Sequence, residues 1–151
     1  MTAYADTSWW VAYKNASDAL HRTAIQFFEE YSGSDVVWTP WQHVEVFNAF
    51  RQLERIGCLP NNPATIFIRA LEHELKLGYW RHVEFSWTEA VQTANALSAV
   101  HSRDLTIRGM DLFHVAIACE IGAEQFLTFD SDQADLARAA GLEVWPSLGC
   151  D

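Results

Sequence analysis

Five short runs rich in apolar and β-branched residues, at 2–6, 35–39, 105–107, 125–129 and 142–145, are separated by longer segments with helical periodicity. That alternation constrains the fold more than any other feature of the chain. Consecutive strands with helices between them need crossover connections, and crossovers produce parallel pairing with helices packed on both faces of the sheet. The expected class is therefore α/β, a three-layer α/β/α domain around a mostly parallel, doubly wound sheet.

Helix boundaries are legible from end signals. Thr39-Pro40-Trp41-Gln42 supplies a cap, a proline at the first helical position and a glutamine three residues after the cap, so a helix is expected over 40–56, ending at Gly57. Pro60-Asn61-Asn62-Pro63 punctuates before a second helix over 64–77, closed by Gly78, and the two read as a helical hairpin. Ser86-Trp87-Thr88-Glu89 opens a helix over 89–102, and an almost wholly apolar helix over 110–121 follows Gly109. Residues 80–85 fit either an edge strand or an extended linker.

The chain's 151 residues suit one domain spanning 1–151, and no internal repeat or linker divides them. Half of them are hydrophobic, too many for disorder, yet no apolar run reaches the roughly 20 residues that span a bilayer. The N-terminus has no basic segment followed by an apolar one, so the expected compartment is the cytoplasm, with no membrane association. Cys58, Cys119 and Cys150 are odd in number and widely spaced, which reads as free thiols, and the six histidines lack zinc-site spacing. A net charge of −10 opposes general attraction to phosphate backbones. Any nucleic-acid chemistry must then rest on metal ions and local basic residues.

In parallel sheets the functional crevice lies beyond the carboxyl ends of the strands, and acids recur there. Asp6 ends the first run, Glu45 falls in the second turn of the helix after the second, Asp111 opens the helix after residue 107, and Asp130 follows Phe126-Leu127-Thr128-Phe129. Taken singly, Asp6, Asp111 and Asp130 could each be helix-terminal acids stabilised by about 0.3–1 kcal/mol from the helix dipole. Glu45 differs, since it lies mid-helix between Val44 and Val46 with no obvious cation nearby. If the four converge, carboxylates roughly 5 Å apart repel by about 3 kcal/mol per pair at an effective dielectric near 20. Such a group needs a cation, and hard oxygen ligands favour Mg²⁺ or Mn²⁺, which can support phosphodiester hydrolysis.

Tyr4-Ala5-Asp6-Thr7-Ser8, the helical Glu45, Met110-Asp111-Leu112-Phe113-His114-Val115-Ala116-Ile117-Ala118 and Phe126-Leu127-Thr128-Phe129-Asp130 together resemble the PIN-domain pattern over nearly the whole chain. The compact length, the Asp111-x-x-His114 spacing and the segment from Ala137 to Val144 are similar in particular to VapC-type toxins. The resemblance implies a Mg²⁺- or Mn²⁺-dependent endoribonuclease, homodimeric and restrained by an antitoxin with a basic tail. It makes Asp6, Glu45, Asp111 and Asp130 the metal-binding and catalytic acids, with Thr7 and Ser8 orienting Asp6. Asp132 is either an additional acid of this group or a first-turn acid of the 131–140 helix. His114 lies one turn from Asp111 and reads as a histidine that hydrogen-bonds within the fold or contacts substrate.

Arg51 and Arg55, spaced i, i+4 on the Glu45 helix, are candidates for RNA phosphate contacts or simply a solvated face. Among the seven tryptophans, Trp38, Trp87 and Trp145 read as core. Adjacent Trp9 and Trp10 cannot both face inward on one helix and are expected to mark an interface, including anchorage of the antitoxin. A phosphoacceptor receiver domain would need a lysine at a strand end, which neither Lys14 nor Lys76 supplies. Asp130-Ser131-Asp132 faintly suggests a haloacid-dehalogenase-like phosphatase, but the 19 residues after Asp132 are too few for that fold. A free-standing RNA-maturation nuclease and a catalytically silent PIN module for RNA binding or assembly remain alternatives.

Overall fold

The computed structural model describes residues 1–147. These form, in order, β1 (Thr2–Ala5), α1 (Thr7–Lys14), α2 (His21–Glu30), β2 (Asp35–Trp38), α3 (Pro40–Arg55), α4 (Ala64–Lys76), β3 (Arg81–His82), α5 (Trp87–His101), α6 (Gly109–Glu120), β4 (Gln125–Leu127), α7 (Ser131–Ala139) and β5 (Glu143–Trp145). The strands make one sheet in the order β3-β2-β1-β4-β5, and every neighbouring pair is parallel. The α/β reading of the sequence therefore holds.

Side chains alternate across a strand, and here the alternation divides the core in two. Ala3, Ala5, Val36, Trp38, Leu127 and Trp145 point into one apolar layer, covered by α1–α4. Tyr4, Val37, Phe126 and Val144 point into the other, covered by α5–α7. Topology fixes where a site can form. The chain leaves β1 toward β2 and β3, then returns to lay β4 on the opposite side of β1. The sheet thus has its switch point between β1 and β4, where a crevice opens beyond the strand ends.

Three expectations need correction. Residues 105–107 form no strand; they are an irregular stretch between α5 and α6. The sheet position beside β2 is taken by β3 instead, with Val37 and Trp38 paired to Arg81 and His82 and the Val83 N–H donating to the Trp38 carbonyl at 2.8 Å. The 80–85 segment is therefore the edge strand. Ile107 gains partial burial against the second core layer without needing a sheet partner.

Trp9 and Trp10 are both fully buried, contrary to their expected place at an interface. Helix α1 is covered on two sides, so adjacent residues about 100° apart both find cover. Trp9 stacks on Tyr13 at 4.9 Å between ring centroids and meets Phe27 and Phe28 of α2 edge-on. Trp10 packs edge-to-face on Trp38 and Trp80, both at 5.0 Å. Trp87 departs in the other direction: it is 48% exposed, whereas Trp38 and Trp145 are core as expected. Cys58 and Cys119 are free thiols, and Cys150 lies outside the described residues.

Because Trp10 ties α1 to the sheet and to Trp80, Trp10→Ala should lower unfolding free energy by about 3–5 kcal/mol. Urea denaturation checks this, and a loss below about 1 kcal/mol would contradict the packing described.

Candidate active site

Asp6 is the first residue beyond β1, and its N–H donates to the Leu127 carbonyl of β4 at 3.0 Å. Its carboxylate caps α1, accepting from the Trp9 N–H at 3.0 Å. The same oxygen, Oδ1, accepts from Ser8 Oγ at 2.7 Å, and Oδ2 accepts from Thr128 Oγ1 at 2.6 Å. Both hydroxyls reach across the switch point. Ser8 Oγ accepts the Phe129 N–H at 2.9 Å, and Thr128 Oγ1 accepts the Asp130 N–H at 3.0 Å. Thr7, expected to share the task of Ser8, makes no hydrogen bond through its buried hydroxyl among the described residues. Thr128 takes that place. Its signal was a hydroxyl two residues before an acid at a strand end.

Asp130 caps α7, its Oδ1 accepting from the N–H groups of Asp132 and Gln133 at 2.9 and 3.1 Å. Asp132 sits in the first turn of that helix. Asp111 accepts the Arg108 N–H on Oδ2 at 3.0 Å in the first turn of α6. Asp130 and Asp111 thus each use one oxygen as a helix cap. Their second oxygens, Asp130 Oδ2 and Asp111 Oδ1, make no hydrogen bond among the described residues.

Glu45 is carried by α3, which is fastened to the end of β1. Gln42 bridges the junction: its Oε1 accepts the Thr39 N–H at 2.6 Å and its Nε2 donates to the Ala5 carbonyl at 2.5 Å. Glu45 follows one turn later on the same face. The polar partner missing from its sequence neighbourhood comes from α6, where His114 Nε2 lies 3.6 Å from Glu45 Oε2. His114 is almost completely buried, with Nδ1 at 2.9 Å from the Tyr4 hydroxyl. Arg55 and Arg51 are exposed on the outer part of α3. Arg55 lines an open cleft of about 560 Å³ together with Thr7, Ser8, Leu20, Leu53 and Phe129.

Electrostatics link these groups. Burial raises the Asp6 pKa, opposed by His114 and by the hydrogen bonds from Thr128, Ser8 and Trp9. Burial also raises that of Asp111; the Arg108 N–H opposes it and the Asp130 charge adds to it. Among the described residues, no three His, Cys, Asp or Glu side chains come together closely enough to hold an ion by themselves. The donor set still suits a hard cation. Mg²⁺ commonly takes only one or two protein carboxylates and completes its shell with water, and free carboxylate oxygens are what it prefers.

The chain belongs to the PIN domain family, whose model matches residues 3–139. Solved structures with the same fold include VapC20 of Mycobacterium tuberculosis, described as a toxin that cleaves the sarcin–ricin loop. It is 23% identical, with a TM-score of 0.66 over 93% of this chain and 95% of that one. FitAcB of Neisseria gonorrhoeae is 14% identical with a TM-score of 0.63, covering 94% of this chain and 95% of that one. VapBC2 of Rickettsia felis, solved with a DNA fragment from its promoter, is 14% identical with a TM-score of 0.60, covering 95% and 97%. Comparison with curated proteins gives no significant match.

The raised carboxylate pKa values have a consequence for metal-free protein. A folded-state pKa above the unfolded value means the native state binds more protons, so stability falls as pH rises through that interval. In EDTA, stability should therefore increase as pH is lowered from neutrality toward the ordinary aspartate range, and Asp6→Asn should flatten that part of the profile. Denaturant titrations across pH test it; a wild-type profile unchanged by Asp6→Asn would show that Asp6 carries no such penalty.

Proposed function

We propose that this PIN-domain protein is a Mg²⁺- or Mn²⁺-dependent endoribonuclease and the toxin of a toxin–antitoxin pair. The observation that carries the reading is the hydrogen-bonded Asp6–Thr128–Asp130 junction at the sheet's switch point, with Asp111 electrostatically coupled to Asp130. Membership of the PIN family and the fold shared with VapC20 and VapBC2 support it.

Asp6, Glu45, Asp111 and Asp130 would hold the metal, through the free oxygens of Asp111 and Asp130 and through water. A bound divalent ion supplies an activated water and neutralises charge on the scissile phosphate. The chain's own residues hold the acids in place. Ser8 and Thr128 fix the Asp6 carboxylate, the α6 and α7 termini fix Asp111 and Asp130, and Gln42 fixes the helix that bears Glu45. Arg55, which lines the cleft, is the residue assigned on this reading to an RNA phosphate, and Arg51 one turn earlier extends the same face.

The partner reading follows from charge and shape. An acidic pocket on a chain of net charge −10 favours a cationic segment, and arginine pairs bidentately with carboxylates. The antitoxin thus carries a basic tail, and the toxin it restrains is on this reading a cytoplasmic homodimer. With Trp9 and Trp10 buried, its apolar anchorage falls to the cleft lined by Val11, Leu20 and Leu53. A silent RNA-binding PIN module is the second reading, favoured by the lack of a closed three-ligand group among the described residues.

Asp130→Asn should reduce RNA cleavage at least 100-fold with the fold retained, and excess EDTA should abolish wild-type cleavage. Cleavage that persists in EDTA would exclude the metal mechanism, and no cleavage by metal-loaded wild type on any RNA would favour the silent module. For the partner, the Asp6→Asn/Asp130→Asn double variant should bind the basic tail more weakly and with a smaller salt dependence. Affinity and salt slope equal to wild type in calorimetry would place the tail elsewhere.

A further inference from the structure

Tyr4, His114 and Glu45 come from three separate elements, β1, α6 and α3, yet they meet in one line. The Tyr4 hydroxyl is 2.9 Å from His114 Nδ1, and His114 Nε2 is 3.6 Å from Glu45 Oε2. The first two residues are buried; the Glu45 side chain is 27% exposed. Ring packing holds the imidazole from two further sides: Tyr4 edge-on at 5.8 Å and Trp41 tilted at 6.5 Å between centroids. Tyr4 itself stacks on Phe126 at 5.7 Å, so neither ring is free to turn.

One imidazole tautomer satisfies both contacts: the Glu45 carboxylate facing Nε2 can only accept, so Nε2 carries the proton and Nδ1 accepts from the Tyr4 hydroxyl. The 3.6 Å separation exceeds a hydrogen bond, and a partly exposed glutamate can close it by a small side-chain rotation.

We propose that His114, hydrogen-bonded to Tyr4, is a positioning residue that holds the Glu45 carboxylate toward the metal site. This rests on the metal-dependent reading of the site and adds to it the group that orients the one acid lacking a capping role. Glu45 needs such help. Asp6, Asp111 and Asp130 are held by backbone N–H groups, whereas Glu45 sits mid-helix, where no backbone donor is available. A carboxylate on a flexible stem loses rotamer freedom when it binds an ion, and a fixed N–H donor reduces that loss.

The test is Mn²⁺ affinity, measured by calorimetry or electron paramagnetic resonance on the metal-stripped protein without RNA. His114→Leu should weaken Mn²⁺ binding about 10–100-fold, the range found when a partner that orients a metal ligand is removed. His114→Gln, whose amide nitrogen reaches about as far as Nε2, should recover most of that loss. In a Glu45→Gln background, His114→Leu should cost little more. Tyr4→Phe, which removes only the hydroxyl, gives a smaller loss of the same sign and serves where His114→Leu does not fold. Wild-type affinity in folded His114→Leu or, if that does not fold, in Tyr4→Phe would overturn the inference while leaving the metal site standing. So would the full loss repeated in the Glu45→Gln background. Wild-type protein that binds no Mn²⁺ would overturn the metal-site reading and this inference together.

Discussion

The hydrogen bond from Thr128 to Asp6 is the contact on which the rest of the site depends, because it joins the two strand ends that define the switch point. β1 and β4 are already paired through their backbones, but pairing alone leaves the segments after them free to diverge. A single hydroxyl that donates to Asp6 and accepts from the Asp130 N–H prevents this. Ser8 repeats the device from the other side, donating to Asp6 and accepting from the Phe129 N–H. Two small side chains thereby fix the exits of two strands and, through them, the starts of α1 and α7.

That junction holds a fully buried carboxylate, which a fold selected for stability alone would avoid. Its hydrogen bonds lower the cost without removing it, since the Asp6 pKa stays raised. Serving as an N-cap does not require such burial, because exposed serine or asparagine caps as well. Helix capping and the proposed catalytic role are therefore compatible rather than competing. In Asp111 and Asp130, one oxygen satisfies a helix terminus and fixes the side chain, while the other has no hydrogen bond among the described residues.

Much of this was legible in the sequence, and the limits are physical. Strand-length runs and capping signals gave the α/β class, the helices from 40 onward and the strand-end acids, because they depend on local backbone chemistry. What failed depends on contacts distant in sequence. Residues 105–107 have strand composition, but the place beside β2 is filled by β3, and pairing is decided by the neighbour rather than by three residues alone. An interface position for Trp9 and Trp10 requires that α1 have one covered face, whereas α2 and the sheet cover both. Thr128, Gln42 and Tyr4 act on partners 122, 37 and 110 positions away. No spacing rule within a helix or strand reveals them.

The same distinction explains how an acidic chain can carry a site for an anionic substrate. At physiological salt, charges beyond about 8 Å are largely screened, so a net charge of −10 slows encounter more than it forbids a docked complex. Within the screening length the local arrangement dominates. Arg55 and Ser8 line one cleft, and the charge of Asp130 adds to the cost of ionising Asp111. A divalent ion reverses the local sign of the field, turning repulsion between acids into attraction for phosphate. On the proposed function, acids that repel RNA in the metal-free protein would thus be the means by which a bound ion attracts it.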